Sequence, residues 1–69
     1  MNYRESLVDW EDQDGETHTL SAFKVKYLRG NTTKTRVVAD VDGRPVEFVV
    51  LRPHVELRAE LTKALAAGE

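Results

Sequence analysis

Apolar and polar residues alternate most regularly between Thr35 and Leu51. The alternation runs through Val37, Ala39 and Val41, breaks at Asp42-Gly43, and resumes at Val46, Phe48 and Val50. Side chains on a strand point to opposite faces in turn, so the stretch reads as two strands, 34–41 and 44–51. Asp-Gly between β-branched runs predicts a two-residue type I′ turn, in which both central residues need positive φ. Val41 then pairs with Arg44, Ala39 with Val46, Val37 with Phe48 and Thr35 with Val50. The core face carries Val37, Ala39, Val41, Val46, Phe48 and Val50, and the outer face Arg36, Val38, Asp40, Glu47 and Val49. Pro45 falls opposite Asp40 at a non-hydrogen-bonded pair, so its missing N–H faces away from the partner strand. That predicts an edge position for 44–51 and leaves 34–41 to pair with something earlier.

Upstream, residues 3–10 form the first predicted strand, and 11–16 an acidic turn with Gly15 at the bend. Residues 17–28 are β-prone again, with Phe23, Val25 and Tyr27 on one face and Lys24 and Lys26 on the other. A turn in 29–33 joins this strand to the hairpin. A two-residue loop would place Ala22, Lys24 and Lys26 on the core face. An odd loop of three or five residues places Phe23, Val25 and Tyr27 beside Val37 and Ala39, and a one-residue slip reverses every side chain. The odd loop is therefore the expectation. The competing reading of 20–29 is a short helix N-capped by Ser21 and ending at Gly30.

Downstream, the periodicity changes from two to that of a helix. Leu57, Leu61, Ala64 and Leu65 fall on one stripe, which predicts a helix from about Pro53 to Ala67. Proline suits the first helical turn, where its N–H is not needed, and Gly68 suits the position after the end. The predicted class is α+β, one domain over 1–69: an antiparallel β-meander of three to four strands, with the C-terminal helix on one face.

Length changes this picture in one respect. A chain of 69 residues buries only about 60% of its unfolded surface, and without cysteine it has no disulfide or thiolate metal site to reinforce it. An exposed edge at 44–51 and second-face apolar residues (Leu28, Val38, Val49, Leu51) add to this, so a homodimer is expected. No apolar run is long enough for a signal peptide or a membrane span, which predicts a cytoplasmic protein with no membrane contact. Asn31-Thr32-Thr33 matches a glycosylation sequon and reads as a turn.

Charge adds a second axis. In residues 1–16, Arg4 stands against Glu5, Asp9, Glu11, Asp12, Asp14 and Glu16. In residues 24–44, Lys24, Lys26, Arg29, Lys34, Arg36 and Arg44 stand against Asp40 and Asp42. The formal net charge of -2 therefore conceals a segregated surface. Lys24, Lys26 and Arg36 are expected on the outward face, with Arg29 and Lys34 at the nearby turn, as a basic stripe able to touch phosphates. Against nucleic acid stand the expected inward placement of Phe23, Tyr27 and Phe48, which leaves no aromatic platform for bases, the acidic overall charge, and the lack of a recognition helix with a basic face. The acidic cluster around Trp10, with Asp12 and Asp14, reads either as a hairpin tip or as a DNA-mimicking lure with an exposed tryptophan as anchor.

Catalytic chemistry is not legible. Ser6, Ser21, His18 and His54 occur without a nucleophile elbow or a base placed beside a serine, so no enzyme and no cofactor are expected. Asp12-x-Asp14-Gly15 resembles part of an EF-hand loop, but position 1 is then Trp10 and position 12 Ser21, so no metal is expected, and His18 reads as isolated. The first functional expectation is a small protein-interaction or oligomerisation module. The alternatives are a nucleic-acid-binding β-meander and an acidic, DNA-mimic inhibitor.

The segment Asp42-Gly43-Arg44-Pro45-Val46-Glu47-Phe48-Val49-Val50-Leu51, followed by Leu57-Arg58 and Leu61 and ending Ala66-Ala67-Gly68, resembles the hairpin-plus-helix oligomerisation domain of actinobacterial H-NS-like nucleoid bridging proteins. The similarity spans residues 37–68, with Leu7-Val8-Asp9 faintly alike. The resemblance implies dimerisation through the sheet and argues against DNA binding by this module, and a stand-alone module of this kind would look like a phage or mobile-element regulator or inhibitor. The basic strand 20–36 and the absence of a C-terminal DNA-binding tail depart from that pattern.

Overall fold

The computed structural model describes residues 6–67. Residues 3–5 of the first predicted strand, Arg4 and Glu5 among them, and the Gly68 cap lie outside the described residues. The class is α+β, with antiparallel sheets and a C-terminal helix, as the hydrophobic pattern predicts. The fold is built on β4 (Thr35–Val41) and β5 (Arg44–Val50), paired in the register that the Asp-Gly turn predicts. Asp42 and Gly43 have φ of 52° and 79°, as a type I′ turn requires. Pro45 lies opposite Asp40, and β5 is an edge of a three-stranded antiparallel sheet ordered β3-β4-β5. Val37, Ala39, Phe48 and Val50 are buried on its inner face, whereas Val41, beside the turn, is exposed.

The region read as one strand over 17–28 is three pieces. β1 (Leu7–Glu11) and β2 (Thr17–Ser21) make a separate two-stranded ribbon around the acidic turn, where Gly15 has φ 86°. A single 3-10 turn, Ala22–Lys24, then carries the chain to β3 (Val25–Gly30). Ser21 does cap it, its Oγ accepting from the Phe23 N–H at 3.3 Å, but the helical segment is only three residues long. Buried Ala22 marks the crossing between the sheets, and the described residues hold five strands where three to four were expected.

The β3–β4 connection corrects the expected register. It is an even loop of residues 31–34, with Gly30 opposite Thr35 and Leu28 opposite Val37. Turn chemistry sets this length. Asn31 Oδ1 accepts from the N–H groups of Thr33 (2.9 Å) and Lys34 (3.1 Å), while the Asn31 N–H donates to the Lys34 carbonyl at 2.9 Å. Gly30 admits no side chain, because a Cβ there would lie 2.3 Å from the Lys34 carbonyl oxygen and 2.6 Å from Thr35 Cα. An even loop would spoil the inner face, but a bulge between Val25 and Tyr27 returns Val25 to a position opposite Ala39. Val25 and Leu28 thus pack on the core, while Phe23 and Tyr27, expected inside, are 53% and 52% exposed.

The helix α1 (His54–Ala67) covers the inner face, burying Leu57 and Ala64, with Leu61 and Leu65 packed beside them. It packs against β1, β3 and the 3-10 turn. Its start is pinned twice: the His54 N–H donates to the Asn31 carbonyl at 2.8 Å, and buried Thr35 donates its hydroxyl to the Arg52 carbonyl at 3.0 Å. The ribbon supplies Val8, Trp10 and Leu20 to the same core. Trp10 is completely buried, and its indole N–H donates to Glu60 Oε1 at 3.2 Å. Glu60 is also held by Arg52, which reaches Glu56 at 3.1 Å as well.

Candidate nucleic-acid interface

The outer face of the three-stranded sheet is where the register correction matters. Tyr27, Val38 and Glu47 form one cross-strand row, and Arg29, Arg36 and Val49 the next. Val38, expected outside, is only 8% exposed at the centre of this face, between Tyr27 and Glu47. The bulge turns Lys26 to the same side, where its ammonium meets Asp40 at 3.4 Å. Arg36 meets Glu47 at 3.2 Å across to β5. Both pairs are well exposed and contribute little to stability.

Arg29 and Arg36 stand directly opposite each other, a like-charge cross-strand pair that costs stability. Among the described residues Arg29, Lys34 and Lys24 have no ion-pair partner. Arg29, Lys34 and Arg36 line one groove of about 560 Å³ with Gln13, Gly30, Asn31 and Val49. No carboxylate of the described residues lines it. Asn31 commits its side-chain oxygen to the turn, accepting there from three donors, which leaves its amide N–H groups available. The groove is thus a concentration of donors and positive charge beside an exposed aromatic ring, in a chain that is acidic overall.

A second, smaller groove of about 300 Å³ adjoins it, sharing Gln13 and Val49 but lined otherwise by Asp12, Asp14, His18, Glu47 and Phe48. The Gln13 N–H donates to the Val49 carbonyl at 2.8 Å, which ties the acidic turn to the outer edge of β5. His18 is not isolated. Its Nε2 lies 2.7 Å from Asp12 Oδ2, and its ring stacks on Phe48 with centroids 4.0 Å apart and planes 5° from parallel. Asp12, Glu16 and His18 bring donor atoms within 4.8 Å of one another, the grouping among the described residues that could hold a cation. Both Asp12 oxygens are already engaged, Oδ1 by the N–H groups of Asp14 (2.8 Å) and Glu16 (3.0 Å) and Oδ2 by His18. The cluster accounts for the shape of the turn.

The hydrogen bond to His18, followed by that from the Glu16 N–H, holds the Asp12 carboxyl below its ordinary pKa of 3.8. The folded state therefore binds this proton less readily than the unfolded state. The stabilisation is present above about pH 4 and fades as pH falls through the lowered value. Asp12→Asn should accordingly be less stable than the wild type near neutrality, and the two urea midpoints should converge as the pH is lowered below about 4. A gap that stays constant as the pH falls would contradict the assignment.

Of the basic residues that the charge pattern singles out, Arg29, Lys34 and Arg36 come together, and Lys26 lies one bulge away on the same face. Lys24 closes the 3-10 turn and is exposed. Asp14 is exposed in the ribbon turn, and Asp12 is held within it. Trp10 is in the core, so it offers no exposed anchor. Tyr27, Gln13 and Asn31 were not foreseen at this surface. Comparison with protein-family models, curated proteins and solved structures finds no match to the chain. Among the described residues no helix is long and apolar enough to cross a membrane.

Proposed function

We propose that this chain is a nucleic-acid-binding domain whose contact surface is the outer face of β3-β4-β5. Arg29, Lys34 and Arg36 take phosphates in the donor-lined groove, and Tyr27 offers a base-stacking face. The observation that carries this reading is the exposure of Tyr27 next to the unpaired Arg29, since the expected inward placement of the aromatic residues was one objection to it. The features favouring a protein partner are weaker in the fold. Trp10 is buried, and the β5 edge is interrupted by Pro45 and partly taken by Gln13.

Fluorescence anisotropy with a labelled oligonucleotide tests the reading. Three phosphate contacts on a single strand give a slope of about −2 in log K against log salt. Tyr27→Ala should weaken binding by roughly 5- to 100-fold, the usual range for losing one base-stacking contact. No binding at about 50 mM salt, where phosphate contacts are strongest, would reject the proposal.

A further inference from the structure

Positive charge on the outer face is concentrated on the β3 side, and negative charge on the β5 side. Lys26, Arg29 and Lys34 belong to β3 and its turn, Arg36 and Asp40 lie between them on β4, and Glu47 lies on β5, where it pairs with Arg36 and loses that partner when Arg36 takes a phosphate. Beyond the β5 edge stands the ribbon turn, brought there by the bond between Gln13 and Val49, with exposed Asp14 on it. The basic and acidic grooves share a wall, so the sign of the surface changes over the width of the sheet.

From this gradient we infer that the domain selects single-stranded over duplex nucleic acid by electrostatic exclusion. The inference rests on the nucleic-acid reading above and names the substrate class for that same surface. Neighbouring strands lie about 4.8 Å apart, so β3 and β5 are separated by about 10 Å. The two phosphate backbones of B-DNA flank grooves about 6 and about 12 Å wide. A duplex seated with one backbone on Arg29 and Lys34 brings its second backbone over Glu47 and Asp14. Charges brought closer than the Debye length of about 10 Å at 0.1 M salt are only partly screened, so a backbone seated over these carboxylates is repelled. A single strand has no second backbone. It can follow β3, with a base on Tyr27 and its phosphates on the basic groove, and stay clear of the acidic border. The phosphates and base faces this surface would take are common to DNA and RNA.

The test compares labelled oligothymidylate and oligouridylate with blunt DNA and RNA duplexes of equal length, for the wild-type chain and for the double variant Asp14→Asn/Glu47→Gln. Both positions are exposed, so the fold should be retained. Wild-type protein should bind the single strands at least about tenfold tighter than the duplexes, and the double variant should bring the ratio to within about threefold, since like-charge juxtaposition is what suppresses the wrong ligand. Duplex binding as tight as single-strand binding by the wild type would overturn the inference and leave the nucleic-acid reading standing. A ratio unchanged in the double variant would overturn the exclusion mechanism. Absence of binding to all four probes would reject the nucleic-acid reading itself, and this inference with it. A uridylate-to-thymidylate ratio near one supports the assignment to shared chemistry, and a preference beyond about tenfold would overturn that part.

Discussion

Trp10→Ala is expected to cost about 3–5 kcal/mol, the usual range for removing a large buried aromatic side chain. Trp10 is completely buried, and its substitution also removes the donor to Glu60. A domain of 69 residues has a total stability of roughly 3–10 kcal/mol, so most of the margin would go. Urea unfolding followed by far-UV circular dichroism should show a midpoint near zero denaturant, or no cooperative transition at all. Trp10→Phe keeps most of the apolar contact and loses the hydrogen bond, and should fall between the two, about 1–3 kcal/mol below the wild type. A loss under about 1 kcal/mol for the alanine variant would mean that the ribbon is not anchored to the core through this residue.

The second large effect separates binding from folding. Arg29→Glu converts the like-charge cross-strand pair with Arg36 into an opposite-charge pair. Such pairs contribute about 0.2–1 kcal/mol, so the variant should be slightly more stable than the wild type. Its affinity for a single-stranded oligonucleotide should nevertheless fall by about 10- to 100-fold at low salt, with a shallower salt dependence, because one phosphate contact is replaced by a repulsion. Stability measured by urea and affinity measured by anisotropy should therefore move in opposite directions. Loss of both together would point to a structural role for Arg29, and unchanged affinity would remove it from the surface. Two arginines placed face to face at a cost to the fold are consistent with a use for them.

How much of this was legible in the sequence depended on whether a signal was local. Asp42-Gly43 specified its turn and, with it, the β4–β5 register and the edge position of Pro45, because turn type and strand pairing are coupled over a few residues. The stripe of Leu57, Leu61, Ala64 and Leu65 located the helix for the same reason. Tyr27 was misplaced because counting parity along a strand assumes an unbroken alternation. The bulge at Lys26 breaks it, and the Asn31 side chain, rather than face matching, sets the loop length. The split at 22–24 was missed because Leu20 and Ala22 continue the apolar spacing into the crossing, where the chain changes sheets. Trp10 stood among six acids and could be read either way until its cross-strand and helical neighbours were known. His18 meets Asp12 and Phe48 only through tertiary structure, and no spacing rule in the sequence brings the three together.

The surface assignment is tested most directly by titrating the isotopically labelled chain with a single-stranded oligonucleotide and following its amide and side-chain NMR signals. The account predicts saturable shifts confined to Lys26, Tyr27, Arg29, Lys34, Arg36 and their immediate neighbours, with the exposed face of the helix 54–67 unmoved. Shifts centred on that helix or on Leu7–Glu11, or no shifts at low salt, would contradict it.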